Sequence, residues 1–280
     1  MTVRRSRAQR AQLALLLEVA GTPKPGNVDR HRDYPDLRFE HFLAGAIGAH
    51  EGLQLAAEGE RVGRAFERAV SGMSQQEAGN TQFGALLLLA PLVRAAADGD
   101  LSPEGVHEAV EATTVADAAD FYRAFDHVDV AVADPPEAMD DLDVRRGSDA
   151  VEAVEESEVT LYDVMERSAE RDGLAREWVG GFERTFRAAG RIAELDGPVP
   201  ERAAETFLEL LAAEPDTFVA IQHDEETAEE VRERAEDALV GRVDPDEFAD
   251  ELVDRNVNPG TTADLVAGAL FVALERGVSV

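Results

Sequence analysis

Apolar residues in this chain recur at three- and four-residue intervals almost throughout, and the alternation of a half-buried strand is nearly missing. That periodicity confines the fold to packed helices. A first helix is read from Leu13, Leu16, Leu17 and Ala20, and a second face runs through Phe39, Phe42, Leu43, Ala46, Ile47, His50 and Leu53 from about residue 36. The stretch "VGRAFERAVSG" gives a short helix ending near Gly72, and in "SPEGVHEAVEAT" Ser102 reads as the N-cap with Pro103 at the first helical position. Further amphipathic helices are expected over residues 149–172, 174–195, 200–213, 225–240 and 244–254. Two others, "FGALLLLAPLVRAAA" and "ADLVAGALFVALERG", are apolar on nearly every side, which places both in the interior. The expected architecture is all-α: one bundle-like domain over residues 1–280, with about ten or more helices around two buried central ones. The stretch "VDVAVADPPEAMDDLDVRRGS", with Pro135 and Pro136, reads as a surface excursion at 127–148. No internal repeat or separating linker is visible.

Charge narrows the partners. The chain carries 58 acidic residues against 27 basic ones, a formal net charge of −31, yet 44% of it is hydrophobic. It is therefore a folded protein with an acidic surface and not a disordered acidic tail. The acids are spread along the whole length, as expected for solubility in a high-salt, halophilic interior, where screening shortens the reach of self-repulsion. Such a surface argues against nucleic acid, whose phosphates need a basic face. Cysteine is absent, which removes disulfides and thiolate chemistry. No apolar run reaches the length of a membrane span, and Glu18 interrupts the N-terminal apolar run, so a cytoplasmic location is expected. The oligomeric state is left open, a homodimer included.

Three turn-rich stretches hold the candidate chemistry. The first, "TPKPGNVDRHRD", contains Lys24, the only lysine in the chain. Two prolines and Gly26 make a stiff loop, expected to be exposed and to hold the ammonium towards an anion. The other two, "QQEAGNTQ" and "NVNPGTTAD", precede the two apolar helices, whose N-termini carry unpaired amides and positive partial charge. Asn80, Thr81, Thr261 and Thr262 serve there either as ordinary caps or as parts of an anion site. Asp33, Asp36 and Glu40 are expected along one face of a helix starting near Pro35, where they either complement its dipole or bind magnesium through oxygen ligands. His31, His41 and His50 do not have the spacing of a helical zinc site.

Together, "TPKPGNVDRHRD", "AGNTQFG" and "NPGTTADLVA" resemble the triphosphoribosyl-dephospho-CoA synthase family, in order and across nearly the full chain. Bacterial members usually read Asn-Thr-His-Lys-Gly in the second loop. Here Asn80, Thr81, Gln82, Phe83 and Gly84 stand there, so a basic pair is replaced, and Thr261-Thr262 replaces the common Gly-Ser of the third. The resemblance implies an all-α enzyme that moves the triphosphoribosyl group of ATP to a ribose hydroxyl of 3′-dephospho-CoA and releases adenine. It implies ATP, a CoA-like acceptor and Mg²⁺. On that reading Lys24, Gly26, Asn27, Asp29, His31, Asn80, Thr81, Gly84, Asn258, Gly260, Thr261 and Thr262 bind substrate or phosphate. Glu40 or Asp33 acts as base, and Asp33, Asp36, Glu40 and Asp264 are the metal candidates. Two other readings stay open: a related ribosyl or phosphoribosyl transferase of another cofactor pathway, and a helical nucleotide-binding protein without catalysis.

Overall fold

A computed structural model describes residues 5–132 and 140–280, in which sixteen α-helices follow one another. The first seven are α1 (Arg7–Ala20), α2 (Phe39–Gly48), α3 (His50–Ala57), α4 (Val62–Met73), α5 (Phe83–Asp98), α6 (Pro103–Glu111) and α7 (Val115–Ala124). Two 3₁₀ segments, Asp140–Leu142 and Val144–Ala150, lead into α8 (Val151–Glu156), α9 (Leu161–Ser168), α10 (Gly173–Val179), α11 (Glu183–Glu194) and α12 (Val199–Ala213). The chain finishes with α13 (Thr217–Gln222), α14 (Glu225–Leu239), α15 (Pro245–Asp254) and α16 (Gly260–Glu275). Among the described residues the only β-type pairing is an isolated bridge between Asp29 and Arg32. The protein is all-α.

The two helices that are apolar all round occupy the centre. α5 packs on α16, and α16 also touches α1, α11 and α12. Leu86, Leu88, Leu89, Leu265, Leu270 and Phe271 are fully buried between them and their neighbours. Each such side chain contributes about 1.5–3 kcal/mol by leaving water. Pro91 lies inside α5 without ending it. A proline cannot supply the amide that the carbonyl four residues earlier would accept. That carbonyl belongs to Leu87, and the buried indole of Trp178 donates to it instead at 3.2 Å. Among the described residues no helix is long and apolar enough to cross a membrane.

Several sequence-derived boundaries are corrected. The helix expected from residue 36 begins only at Phe39, and Ala49 divides α2 from α3. Asp36 and Glu40 therefore do not share a helical face. The stretch 149–172 is broken between α8 and α9, where Glu158 has a positive φ of 52° and Thr160 starts a new helix with Asp163 completing a capping box. The stretch 174–195 divides at Gly181 and Phe182, both with positive φ. The excursion expected at 127–148 is described on its flanks alone, since Pro135 and Pro136 lie outside the described residues. Those flanks are not loose: Tyr122 Oη donates to the Leu142 carbonyl at 2.6 Å, and Val130, Leu142 and Val144 help wall a cavity.

Candidate active site

The N-termini of α5, α10, α13 and α16 converge on a cavity of about 560 Å³, within the range that small-molecule sites usually have. The three turn-rich loops meet there. Gly26, at φ +72°, lies so close to the third loop that a Cβ would collide with the Val257 carbonyl oxygen. Beside it Asn27 Nδ2 donates to the Pro259 carbonyl at 3.2 Å, and Tyr34 Oη donates to the Gly26 carbonyl at 2.6 Å. The second loop meets α16 at Gly84, where any Cβ would strike Asp264 Oδ2. Gly173, at the head of α10, comes close to Thr261, and its amide donates to Thr217 Oγ1 at 3.0 Å.

The floor is acidic. Glu18, on α1, and Asp264, on α16, both line the cavity. Glu18 is buried, and its carboxylate accepts from the ammonium of Lys24, which is itself only 1% exposed. Burial pushes the Glu18 carboxyl up, and the Lys24 charge pulls it back. Asp264 has no cation beside it among the described residues, and what exposure it keeps is to the cavity. Burial first, then the charges of Glu18 and Asp216, drive its carboxyl well above the ordinary aspartate range, while a hydrogen bond from the Ala85 amide opposes the shift.

Other carboxylates cap the converging helices. Asp172 accepts from the amides of Leu174 and Ala175, both at 2.8 Å. Asp216 accepts from Phe218 and Val219 with one oxygen, and from the amide and hydroxyl of Thr262 with the other at 2.8 and 2.7 Å. Asn80 Oδ1 takes the amide of Phe83 at 3.2 Å. Polar atoms of three residues in the lining are buried without a partner: Thr81 Oγ1, Gln82 Oε1 and Asn258 Oδ1. Gln82 Nε2 donates to the Leu15 carbonyl at 3.2 Å, which leaves its Oε1 buried without a partner.

Of the residues singled out in the sequence, Asn27, Asp36, Asn80, Thr81, Gly84, Asn258, Gly260, Thr261 and Asp264 line the cavity. The rest do not. Lys24 is not on an exposed loop: it lies behind Glu18, its charge already matched. Asp29 is fully buried and shapes its own loop, accepting from the amide of His31 at 2.8 Å and from Arg32 at 3.2 Å. His31 is exposed. Gly26 makes room for backbone, and Thr262 is held by Asp216. Asp33 accepts the first amide of α2, that of Phe39, at 2.7 Å, and Glu40 is exposed and paired with Arg38 at 2.6 Å. Neither candidate base, Asp33 or Glu40, lines the cavity. The four carboxylates expected to bind magnesium are likewise scattered, and the described residues contain no group of three or more metal-binding side chains. Several amides expected to be free for phosphate are already engaged: Gln82 donates to Met73 Sδ, Phe83 to Asn80 Oδ1, Gly260 to the Asn258 carbonyl and Thr262 to Asp216.

The replacements in the second loop have a packing reason. Phe83 is buried in an aromatic cluster, with ring centroids 5.0 Å from both Phe66 and Phe125. Reading the sequence missed Glu18, Arg167 and Arg171 in the lining, and Asp172 and Asp216 as caps. Glu18 had a signal: it continues the buried register Ala8, Ala11, Leu15 of α1, where a charge needs a partner.

An all-α scaffold with an acid-floored cavity of nucleotide size, built where four helix N-termini meet, defines a helical enzyme that works on a nucleotide. Over residues 4–279 the sequence matches the family described as ATP:dephospho-CoA triphosphoribosyl transferase, and the chain belongs to that family. It is a transferase that takes the triphosphoribosyl group of ATP to 3′-dephospho-CoA with release of adenine. A crystal structure from Archaeoglobus fulgidus, provisionally described as a triphosphoribosyl-dephospho-CoA synthase, is similar to it. The two share 29% sequence identity and a TM-score of 0.67, over 84% of this chain and 99% of that one. No curated protein matches the sequence.

Proposed function

We propose that the family reaction runs over the floor formed by Glu18 and Asp264, with Asp264 as the general base. The bond between C1′ of the ATP ribose and the adenine nitrogen breaks, and a bond forms between C1′ and the acceptor hydroxyl oxygen. The hydroxyl proton passes to Asp264 and returns to the departing adenine, so no other co-reactant is needed. A carboxylate whose proton affinity is raised suits this role, because general-base efficiency is best when the pKa lies near the working pH. Glu18, kept towards its ionised form by Lys24, supplies negative charge to the oxocarbenium-like centre that develops at C1′. Thr81, Gln82 and Asn258, with their unpartnered atoms, are suited to hold ribose hydroxyls.

The observation that carries this reading is the position of Asp264. Apart from the exposed Asp36, it is the one lining carboxylate, among the described residues, that neither pairs with a cation nor serves as an N-cap residue, its hydrogen bond being to the Ala85 amide of α5. The test is incubation with ATP, Mg²⁺ and dephospho-CoA in molar salt, followed by chromatography for free adenine. Adenine that appears only when the CoA acceptor is present supports the reading. Adenine that appears with a different acceptor alone, or not at all from folded protein, sinks it.

A further inference from the structure

The lining changes character around the cavity. The first and third loops and α13 contribute amide side chains beside rings: Asn27, Asn256 and Asn258 with Tyr34 and Phe218. The part built around α7, which packs on the second 3₁₀ segment and on α9, is aliphatic instead. Val130, Val132, Leu142, Val144, Val164 and Met165 line it. Val130, Val132, Leu142 and Val144 are only half-buried, so apolar surface is left open to a ligand.

This wall runs up to the floor. Phe125, at the end of α7, packs on Phe83 with ring centroids 5.0 Å apart, and the next residue, Gly84, lies against Asp264. Its main chain is also unusual. Val130, Ala131 and Val132 belong to no helix, and their backbone groups make no hydrogen bond among the described residues. Main chain in that state offers donors and acceptors to a ligand that carries amides of its own.

Neither triphosphate, ribose nor adenine has aliphatic surface. The pantetheine arm of the acceptor does, in a dimethyl-substituted carbon and short methylene runs joined by two amides. We propose that the wall formed by residues 130–132, Leu142, Val144 and the start of α9 holds the pantetheine arm of dephospho-CoA and so selects the acceptor. The methyl and methylene groups cover the half-buried side chains, while the main chain at 130–132 takes up the amides, which therefore enter without losing hydrogen bonds. A ribonucleotide without the arm leaves both unfilled. The proposal rests on the family reaction assigned to the cavity, which brings this acceptor to the floor.

The probe is 4′-phosphopantetheine, titrated calorimetrically into wild type, Leu142→Ala, Val144→Thr and the double variant at fixed salt. Inorganic phosphate and ATP are titrated in parallel, and circular dichroism checks folding. Leu142→Ala is expected to weaken probe binding about 10-fold, the loss that missing methylenes cause in an apolar pocket. Val144→Thr, which adds a hydroxyl at nearly constant size, should weaken it several-fold. ATP binding should hold. In turnover, KM for dephospho-CoA should rise while KM for ATP and kcat stay near wild type. Equal probe affinity in wild type and double variant, or wild-type binding no tighter than that of inorganic phosphate, overturns the proposal. So does a parallel loss of ATP binding, which would mark a merely structural effect. If wild type releases adenine with dephospho-CoA while the variants bind the probe normally, the wall assignment alone fails. If the double variant loses the probe and wild type releases no adenine, the wall stands and the reaction reading fails.

Discussion

The ammonium of the chain's only lysine, Lys24, donates to the carboxylate of Glu18 behind the cavity floor, with side chains 1% and 5% exposed. Burying an isolated charge is costly, so each residue makes the other tolerable. Arginine fills the other 26 basic positions, but the Lys24 side chain is fully buried, where a larger guanidinium would have to displace packed neighbours.

Removing one partner should therefore cost more than removing both. Lys24→Met is expected to destabilise the fold by about 3–5 kcal/mol, because Glu18 is left buried and unmatched. The double variant Lys24→Met with Glu18→Leu should regain most of that loss. Lys24→Arg should cost about 1–3 kcal/mol through overpacking. Chemical denaturation in constant salt measures all three. A single variant as stable as wild type would contradict the pairing.

Asp264 gives a stability signature with a definite sign. Its carboxyl is raised in the folded state, so its contribution to stability is fully present below the ordinary aspartate pKa. That contribution is lost as pH rises through the folded value. An asparagine side chain at this position would be uncharged at every pH, so the Asp264→Asn protein should be more stable than wild type at neutral pH. The gap should close as pH falls and wild type takes up its proton. Melting curves from neutral to acid pH read this directly; a gap that widens on acidification would show the opposite shift.

Gly84 keeps the second loop clear of that carboxylate, since a Cβ would meet Asp264 Oδ2 and the Leu174 side chain. Alanine is otherwise favourable in the first turn of a helix. Gly84→Ala should therefore fold and yet lose about 100-fold in activity, the cost of a displacement near 1 Å in a reacting group. Far-ultraviolet dichroism with adenine release separates the two effects, and unchanged turnover would free Asp264 from its assigned place.

Much of the fold could be read from periodicity, because helices bury a stripe and the two central ones bury every side. The breaks were harder. Thr160 and Asp163 spell a capping box that divides α9 from α8, but the surrounding acids mask it. The six-residue α13 is too short for a period to show. In the site, Asn80, Thr81, Asn258 and Thr261 were legible because polar residues in front of an apolar helix are conspicuous. Glu18, Asp172, Asp216 and Arg167 were not, because nothing local separates a buried or lining charge from one on the acidic surface. Asp33 and Glu40 misled for the same reason: the cluster they form in sequence is spread over a loop and an exposed helix start.

The surface charge predicts a salt dependence. Anionic substrates approach a protein of net charge −31, and raising salt to about 1 M cuts the screening length to about 3 Å. Adenine release should rise from low salt towards molar potassium chloride. A flat or falling profile, with the fold shown to be intact throughout, would argue against a high-salt adaptation.

The most direct test of the reaction assigned to the floor is adenine release by Asp264→Asn, compared with wild type at saturating ATP and dephospho-CoA. Loss of a general base costs about 100- to 10,000-fold, and a fall of at least about 100-fold in a protein that melts no lower than wild type is the expected result. Turnover equal to wild type in the folded variant would show that Asp264 does not take the proton, and the chemistry would have to be reassigned away from this floor.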